Sequence, residues 1–387
     1  MAFWAACVVR SAALAAIGVI IITIAAGCGG GGEESSLGVK SEVVVPQANF
    51  AVALAVAPDG RIFYDEQYSG SIRVVSAEGQ LLEQPFASVA SDFLATIELG
   101  LTGLALDPDF ATNHYVYIYY TKRTGNETAT PVVVRYTERN NVGTDRKVLI
   151  DDLPETVATA YFNASANIHF GPDGYLYVAV GDYDQGDVAQ DLASGQGKFL
   201  RIDASTGEAA PDNPFIDEAD ADPRVFAYGL RKVYDFAFNP ESDKIYAPDA
   251  NADTCDELNI IEAGKNYGWP MSYEFRFSSC TEGQPTPGFY WFAHEGLKPV
   301  DHLSVVNPTG VEFVSVGKYP TVGDGLLVCE RASKKMRRLV LQGPALNQVA
   351  NADVVVKDCA FDIAAAPDGT IYYSTDTEIR RLVPVEQ

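Results

Sequence analysis

Apolar and polar residues alternate with a period of two along most of this chain, in short runs that end at tight turns. That is the pattern of β-strands joined in hairpins. One unit recurs six times. Residues 51–57 meet Pro58-Asp59-Gly60 and continue as Arg61-Ile62-Phe63-Tyr64, and Leu104-Ala105-Leu106 passes Pro108-Asp109 into Tyr115-Val116-Tyr117-Ile118. Ile168-His169-Phe170 turns at Pro172-Asp173-Gly174 into Tyr175-Leu176-Tyr177-Val178, and Phe236-Ala237-Phe238 turns at Pro240-Glu241-Ser242 into Lys244-Ile245-Tyr246. A degraded copy runs from Val311-Glu312-Phe313 to Leu326-Leu327-Val328, and the last places Pro367-Asp368-Gly369 before Ile371-Tyr372-Tyr373. Each unit makes a small antiparallel sheet that cannot bury its own faces, so neighbouring copies must cover it. Spacings of about fifty to eighty residues leave room for four strands and long loops per copy, and radial stacking satisfies all of them. The expected fold is all-β, a six-bladed β-propeller. A β-sandwich competes but predicts no internal repeat, and no convincing amphipathic helix follows the leader.

The first residues do not belong to this pattern. With Arg10 as its only charge, the segment up to Gly27 is apolar over residues 11–26 and ends in Ile24-Ala25-Ala26-Gly27-Cys28, which resembles a bacterial lipobox. Residues 1–27 are thus expected to be a lipoprotein signal peptide and Cys28 the acylated first residue of the mature chain. A plain signal anchor is the alternative, because the apolar run is nearly long enough to span a bilayer. Both place the domain outside the cytoplasm. Residues 28–45, opening Cys28-Gly29-Gly30-Gly31-Gly32-Glu33-Glu34-Ser35-Ser36, read as a flexible tether, and residues 46–387 as the propeller.

Acidic residues outnumber basic ones by 52 to 28. Nucleic acid and anionic membrane surfaces are therefore poor partners, and contact with the membrane is expected through the lipid anchor alone. Six cysteines are present, and setting aside Cys7 and Cys28 leaves four. In an oxidising compartment these allow three disulfide connectivities. Joining neighbouring segments favours Cys255 with Cys280 and Cys329 with Cys359. Zinc or catalytic use is the weaker reading, since no Cys-x-x-Cys spacing occurs.

Several strings then follow in a telling order. Glu98-Leu99-Gly100-Leu101-Thr102-Gly103-Leu104 leads to Pro108-Asp109-Phe110, and Phe170-Gly171-Pro172-Asp173-Gly174 leads to Gly181-Asp182. Gly197-Lys198-Phe199-Leu200-Arg201-Ile202-Asp203, Tyr228-Gly229-Leu230-Arg231, Asp256-Glu257-Leu258-Asn259 and Gly264-Lys265-Asn266-Tyr267-Gly268-Trp269-Pro270 come after them. Together they resemble the glucose/sorbosone dehydrogenases and the soluble quinoprotein sugar dehydrogenases, over nearly all of residues 48–384. The resemblance implies a propeller whose top face holds pyrroloquinoline quinone (PQQ) over calcium, a sugar or polyol substrate, and a separate electron acceptor whose identity stays open. Oxidising a sugar at its anomeric carbon needs a base for the hydroxyl proton, a hydride acceptor and cations beside the quinone.

Carried over position by position, the resemblance is uneven. Arg231 falls where the family has a cofactor-contacting arginine, but Lys232 follows it in place of the usual Asn. Arg331 falls near a second cofactor arginine, with the register blurred by Lys334, Lys335, Arg337 and Arg338. Glu98 stands where relatives place Gln or Glu near the sugar. Asn163 occupies the position of the family's catalytic His and lacks a basic nitrogen. His169, six residues on and so roughly 20 Å along a strand, cannot simply replace it and reads as a strand residue in the blade interior. Glu98 or a water is then the remaining candidate base.

For calcium, the oxygen-rich turn carrying Asp249, Asn251 and Asp253, with Glu257 beyond it, suits a hard cation but departs from an EF-hand loop. The turn from Asp182 to Asp187 is a second possibility. Two functions stay open. One is a cell-envelope, PQQ-dependent sugar or polyol oxidoreductase, impaired at Asn163. The other is a non-catalytic carbohydrate- or protein-binding propeller of the kind suggested by likeness to the hedgehog-interacting branch of the family.

Overall fold

The structure is a computed structural model that describes residues 37–157, 163–164, 166–252, 255–270, 280, 284–292, 305–314 and 317–385. The expected leader, Cys28 and Asp253 lie outside these residues.

Six antiparallel sheets follow one another in chain order, five with four strands and one with a fifth strand added at its outer side. The innermost strands are Leu54–Val56, Leu101–Leu106, Ile168–Phe170, Ala237–Phe238, Pro308–Val314 and Ile363–Ala365, each paired with the next strand in sequence. All six repeated hairpins are these inner pairs. Their registers correspond, with Leu54 opposite Tyr64, Ala105 opposite Tyr117, Ile168 opposite Val178, Ala237 opposite Tyr246, Val311 opposite Val328 and Ile363 opposite Tyr373. Numbering blades in chain order from Leu54–Val56, this is the six-bladed propeller that the repeat predicts.

The core is divided among the blade interfaces, because alternate side chains of a strand face opposite neighbours. In Leu176–Val180, Leu176, Val178 and Val180 pack with Tyr117 and Tyr119 of blade 2, while Tyr177 and Ala179 pack with Ile245 and Ala247 of blade 4. The other four interfaces have clusters of the same kind. Every residue of that strand is buried, so the inner strands are apolar at both parities.

The ring closes through the strand Val39–Val45, which pairs with the C-terminal Ile379–Pro384 and supplies the outer strand of blade 6. This corrects the tether boundary at residue 45. The charged and polar residues around Val43 hide the strand signal, yet Val39 and Val45 are buried at its ends. Among the described residues the helical elements are short, Phe110–Asn113 and the 3-10 turn Gly186–Gln190, and no helix is long and apolar enough to cross a membrane.

At the axis, three buried side chains stitch the blades together. Asn167 of blade 3 accepts the Leu104 amide proton of blade 2 and donates to Asp235 of blade 4 at 2.8 Å. Asp235 also accepts from the Val311 amide of blade 5 at 2.8 Å and lies against the Asp362 carboxyl of blade 6. Asp362 accepts the Leu54 amide proton of blade 1 at 2.6 Å. Two adjacent buried carboxyls cannot both ionise, and burial together with Asp235 holds the Asp362 carboxyl well above the usual range.

Candidate active site

Residues just before the innermost strands gather at one mouth of the central channel. Two backbone amides fix the cationic side: Arg231 and Lys232 both donate their N–H to the buried Asp249 carboxylate, at 2.9 and 2.6 Å. Lys232 then extends to Glu98, its Nζ 2.6 Å from Oε1. The other Glu98 oxygen accepts the backbone N–H of Asn163. Arg231 donates Nη1 to the Ala250 carbonyl at 2.9 Å and lies 5.3 Å from the centre of the Trp269 ring, while its buried Nε has no partner.

Asn163 sits in the left-handed region at φ 61° and is buried. Its side-chain amide donates to Asp182 Oδ1 at 2.9 Å, and the Trp269 indole N–H donates to Oδ2 at 2.7 Å. Burial pushes the Asp182 carboxyl up, opposed by these donors and the Asp184 amide. Gly181 is required beside this pair, since a Cβ there would lie 1.8 Å from the Asn163 carbonyl oxygen. Lys232, Glu98, Asn163, Asp182, Trp269 and Arg231 thus form one continuous chain of contacts.

Glu98 and Lys232 also line a cleft of about 160 Å³ whose far wall carries Arg331. The Arg331 guanidinium lies 4.6 Å over the Phe361 ring and 2.8 Å from the Asp376 carboxylate. Phe50, Tyr68 and Tyr234 complete the aromatic lining, and the buried Tyr234 hydroxyl has no partner. The structure therefore brings Glu98, Asn163, Arg231 and Lys232 into direct succession, with Arg331 opposite them.

Other expected roles are placed differently. Glu98 has an oxygen on each of two donors, so its geometry is that of a brace rather than a free base. His169 lies on an innermost strand but faces the axial channel, where it bonds Asp235 at 2.6 Å, away from the cleft. For calcium, Asp249 is taken by the Arg231 and Lys232 amides. Asn251 donates to the Cys255 carbonyl, and Glu257 accepts from Asn259 and Gln284. Burial raises the Asp249 carboxyl to about 6 and the Glu257 carboxyl to about 8, the latter also through the neighbouring Asp249 charge. Among the described residues no three carboxylate, imidazole or thiol groups converge as a metal site. The Asp182 turn is likewise committed to Asn163, Trp269 and Asp184.

Trp269 stands inside a matching string but carries no expected site role there, Asp182 is expected only as part of the second calcium turn, and Tyr234 and Phe361 are absent from those strings altogether. The signal for the first two was the Gly181-Asp182 and Gly268-Trp269-Pro270 strings themselves. Both expected disulfides are present, Cys255–Cys280 and Cys329–Cys359, with Cα–Cα separations of 5.4 and 5.5 Å.

Comparison with known proteins agrees with this fold. An aldose sugar dehydrogenase of Escherichia coli K12 is 27% identical over 360 residues, covering 90% of this chain and 92% of its own. Quinoprotein glucose dehydrogenase B of Acinetobacter calcoaceticus is 28% identical over 255 residues, covering 59% of this chain and 52% of its own. A solved oxidoreductase of Thermus thermophilus, described as a glucose dehydrogenase, superposes with a TM-score of 0.75 at 29% identity, over 89% of this chain and all of that one. The glucose/sorbosone dehydrogenase model matches residues 48–383, and the chain belongs to that family.

Proposed function

We propose that this protein is a cell-envelope oxidoreductase that oxidises a CH–OH group of a sugar or polyol with bound PQQ, slowly because Asn163 stands where a base is needed. The observation that carries this reading is that Lys232 and Arg331 face one cleft, with Arg231 adjoining Lys232 on the same Asp249 carboxylate, in a chain whose net charge is −24. PQQ is a planar tricarboxylate, and the residues present fit it: an arginine whose buried Nε has no partner among the described residues, beside an indole face, with Lys232 next to it and Arg331 across the cleft. When bound, the quinone supplies the hydride acceptor.

The chain's own residues do the rest. Arg231 and Arg331 hold negative charge, Lys232 and Asn163 brace Glu98, and the aromatic wall excludes water from a sugar face. Asn163 orients a hydroxyl without accepting its proton, so water takes that proton and turnover is low. Calcium belongs to this proposal through PQQ, as a ligand that enters with the cofactor; the described carboxylates form no cage for it beforehand. The leader, the acylation of Cys28 and the extracytoplasmic location belong to it too, supported by two disulfides that suit an oxidising compartment.

The paired state of Lys232 and Arg331 favours a second reading, a non-catalytic binding propeller. Titrating PQQ into the protein with and without calcium, and following dye reduction with a panel of aldoses, separates the two. Saturable uptake that strengthens with calcium, followed by slow turnover, is expected. No uptake under either condition would sink the oxidoreductase reading.

A further inference from the structure

Lys198 opens the strand Lys198–Ile202 and is buried completely. Its ammonium donates to three backbone carbonyls, those of Val188 at 2.8 Å, Ala189 at 2.9 Å and Gln196 at 2.8 Å. Among the described residues no carboxylate bonds to it, and Asp191 and Asp222 act on it only through space. Burying an ammonium is costly unless its donors are satisfied. Here all three are, and the Val188 and Ala189 carbonyls take the ammonium as a second donor beside the Asp191 and Gly229 amides.

That turn is the seat of Trp269. Gln190 donates Nε2 to the Trp269 carbonyl at 2.6 Å and exchanges side-chain hydrogen bonds with Asn266. A Cβ at Gly186 would lie 3.5 Å from the Trp269 indole nitrogen and 3.2 Å from Pro270 Cβ, so the turn packs directly beneath this dipeptide. Ala189, whose carbonyl Lys198 holds, also accepts the Gly229 amide proton, and Gly229 in turn accepts from Trp269 N. Leu230 bonds back to Gly197, the neighbour of Lys198, immediately before Arg231.

We propose that Lys198 is a positioning residue for the active site: the hydrogen bonds of its buried Nζ pin the Gly186–Gln190 turn and the Gly229-Leu230 backbone, and through them set Trp269 and Arg231. Trp269 then presents its indole N–H to Asp182 and its ring to the Arg231 guanidinium. The inference rests on the functional reading above for what this geometry serves, while the geometry itself is measurable without cofactor or substrate.

The test is fluorine NMR of the 5-fluorotryptophan-labelled protein, with the Trp269 resonance assigned through Trp269→Phe. Lys198→Met keeps an unbranched side chain one atom shorter and removes the donors. It should move the Trp269 resonance by more than a line width and leave that of Trp291 in place. Gln190→Ala, at an exposed position, cuts the link between turn and tryptophan and should move the same resonance even if Lys198→Met does not fold. An unchanged Trp269 signal in Gln190→Ala, or equal displacement of Trp269 and Trp291 in Lys198→Met, would overturn the proposal. PQQ titration of the same variants is read separately: absence of binding in every protein, wild type included, removes the functional reading and leaves the NMR result standing.

Discussion

The Asn163 side-chain amide lies 2.9 Å from Asp182, and Asp182 is held from its other side by the Trp269 indole. A carboxylate fixed in this way would orient an imidazole as readily as an amide, taking the N–H of one ring nitrogen and leaving the other free to accept a proton. Histidine is also among the few residues that tolerate the positive φ found at this position. Asn163→His should therefore raise dye-linked sugar oxidation by roughly a hundred- to ten-thousand-fold, the usual contribution of a positioned base. Adding Asp182→Asn to that variant should remove most of the gain. Equal rates in wild type and Asn163→His, with PQQ bound to both, would show that the base lies elsewhere.

Cys329 is two residues from Arg331 and Cys359 two residues from Phe361, and the guanidinium stacks over that ring. The disulfide therefore clamps the far wall of the cleft as well as joining blades 5 and 6. It closes a loop of 30 residues, for which about 3–4 kcal/mol is the chain-entropy expectation. Cys329→Ala with Cys359→Ala should lose stability of that order in urea unfolding and weaken PQQ binding. Unchanged binding in a folded double variant would mean that Arg331 does not need the clamp.

The fold was legible in the sequence because each inner hairpin repeats the same turn chemistry between two apolar strands, and six copies leave little choice of architecture. The outer strands were not, since strands such as Val142–Ile150 are largely exposed and follow no shared pattern. The closing strand Val39–Val45 was hidden for the same reason. In the site, Arg231, Lys232, Glu98 and Asn163 could be placed by the strings around them. Tyr234 and Phe361 could not, because an aromatic residue before an inner strand looks like core until the channel mouth is built. The calcium turn is only partly described: Asp249 accepts the backbone amides of Arg231 and Lys232, while Asp253 lies outside the described residues.

Asp235 receives hydrogen bonds from Asn167, His169 and the Val311 amide, donors on two neighbouring blades. Asp235→Ala would leave the buried Asn167 amide and Val311 N–H without this acceptor, and loss of about 3–5 kcal/mol is expected, as for other broken buried pairs. The exposed ion pair between Arg139 and Asp145, with side chains 66% and 62% exposed, provides the contrast. Asp145→Ala should cost about 0–1 kcal/mol. Urea unfolding of both variants checks the difference, and a similar small loss in each would show that the axial bonds do not hold the blades together.

The axial channel also fixes how stability depends on pH. Burial raises the Glu312 carboxyl from 4.5 to about 7, against the Phe313 amide, the His169 charge and the Ala365 amide, which favour ionisation. The folded protein thus keeps a proton that the unfolded chain releases between about 4.5 and 7, and the stability linked to that proton is lost as pH rises through this window. His169 acts with the same sign. Burial lowers its affinity for a proton, but the charge and hydrogen bond of Asp235 outweigh it and raise the imidazole above 6.5, so its contribution is present below 6.5 and fades as pH passes the folded value. Asp249, Asp256 and Asp362 are raised as well and add to the trend. Carboxylates held low, such as Glu138 and Asp368, lose their contribution only below the window. Lys198, lowered by burial to about 7, acts with the opposite sign only above it. The melting temperature should therefore fall from about pH 5 to about pH 7 at constant ionic strength, and Glu312→Gln, which stays neutral throughout, should fall less steeply. Parallel curves for the two proteins, or a melting temperature that rises over this interval, would show that Glu312 is already ionised in the channel at the acidic end of the window.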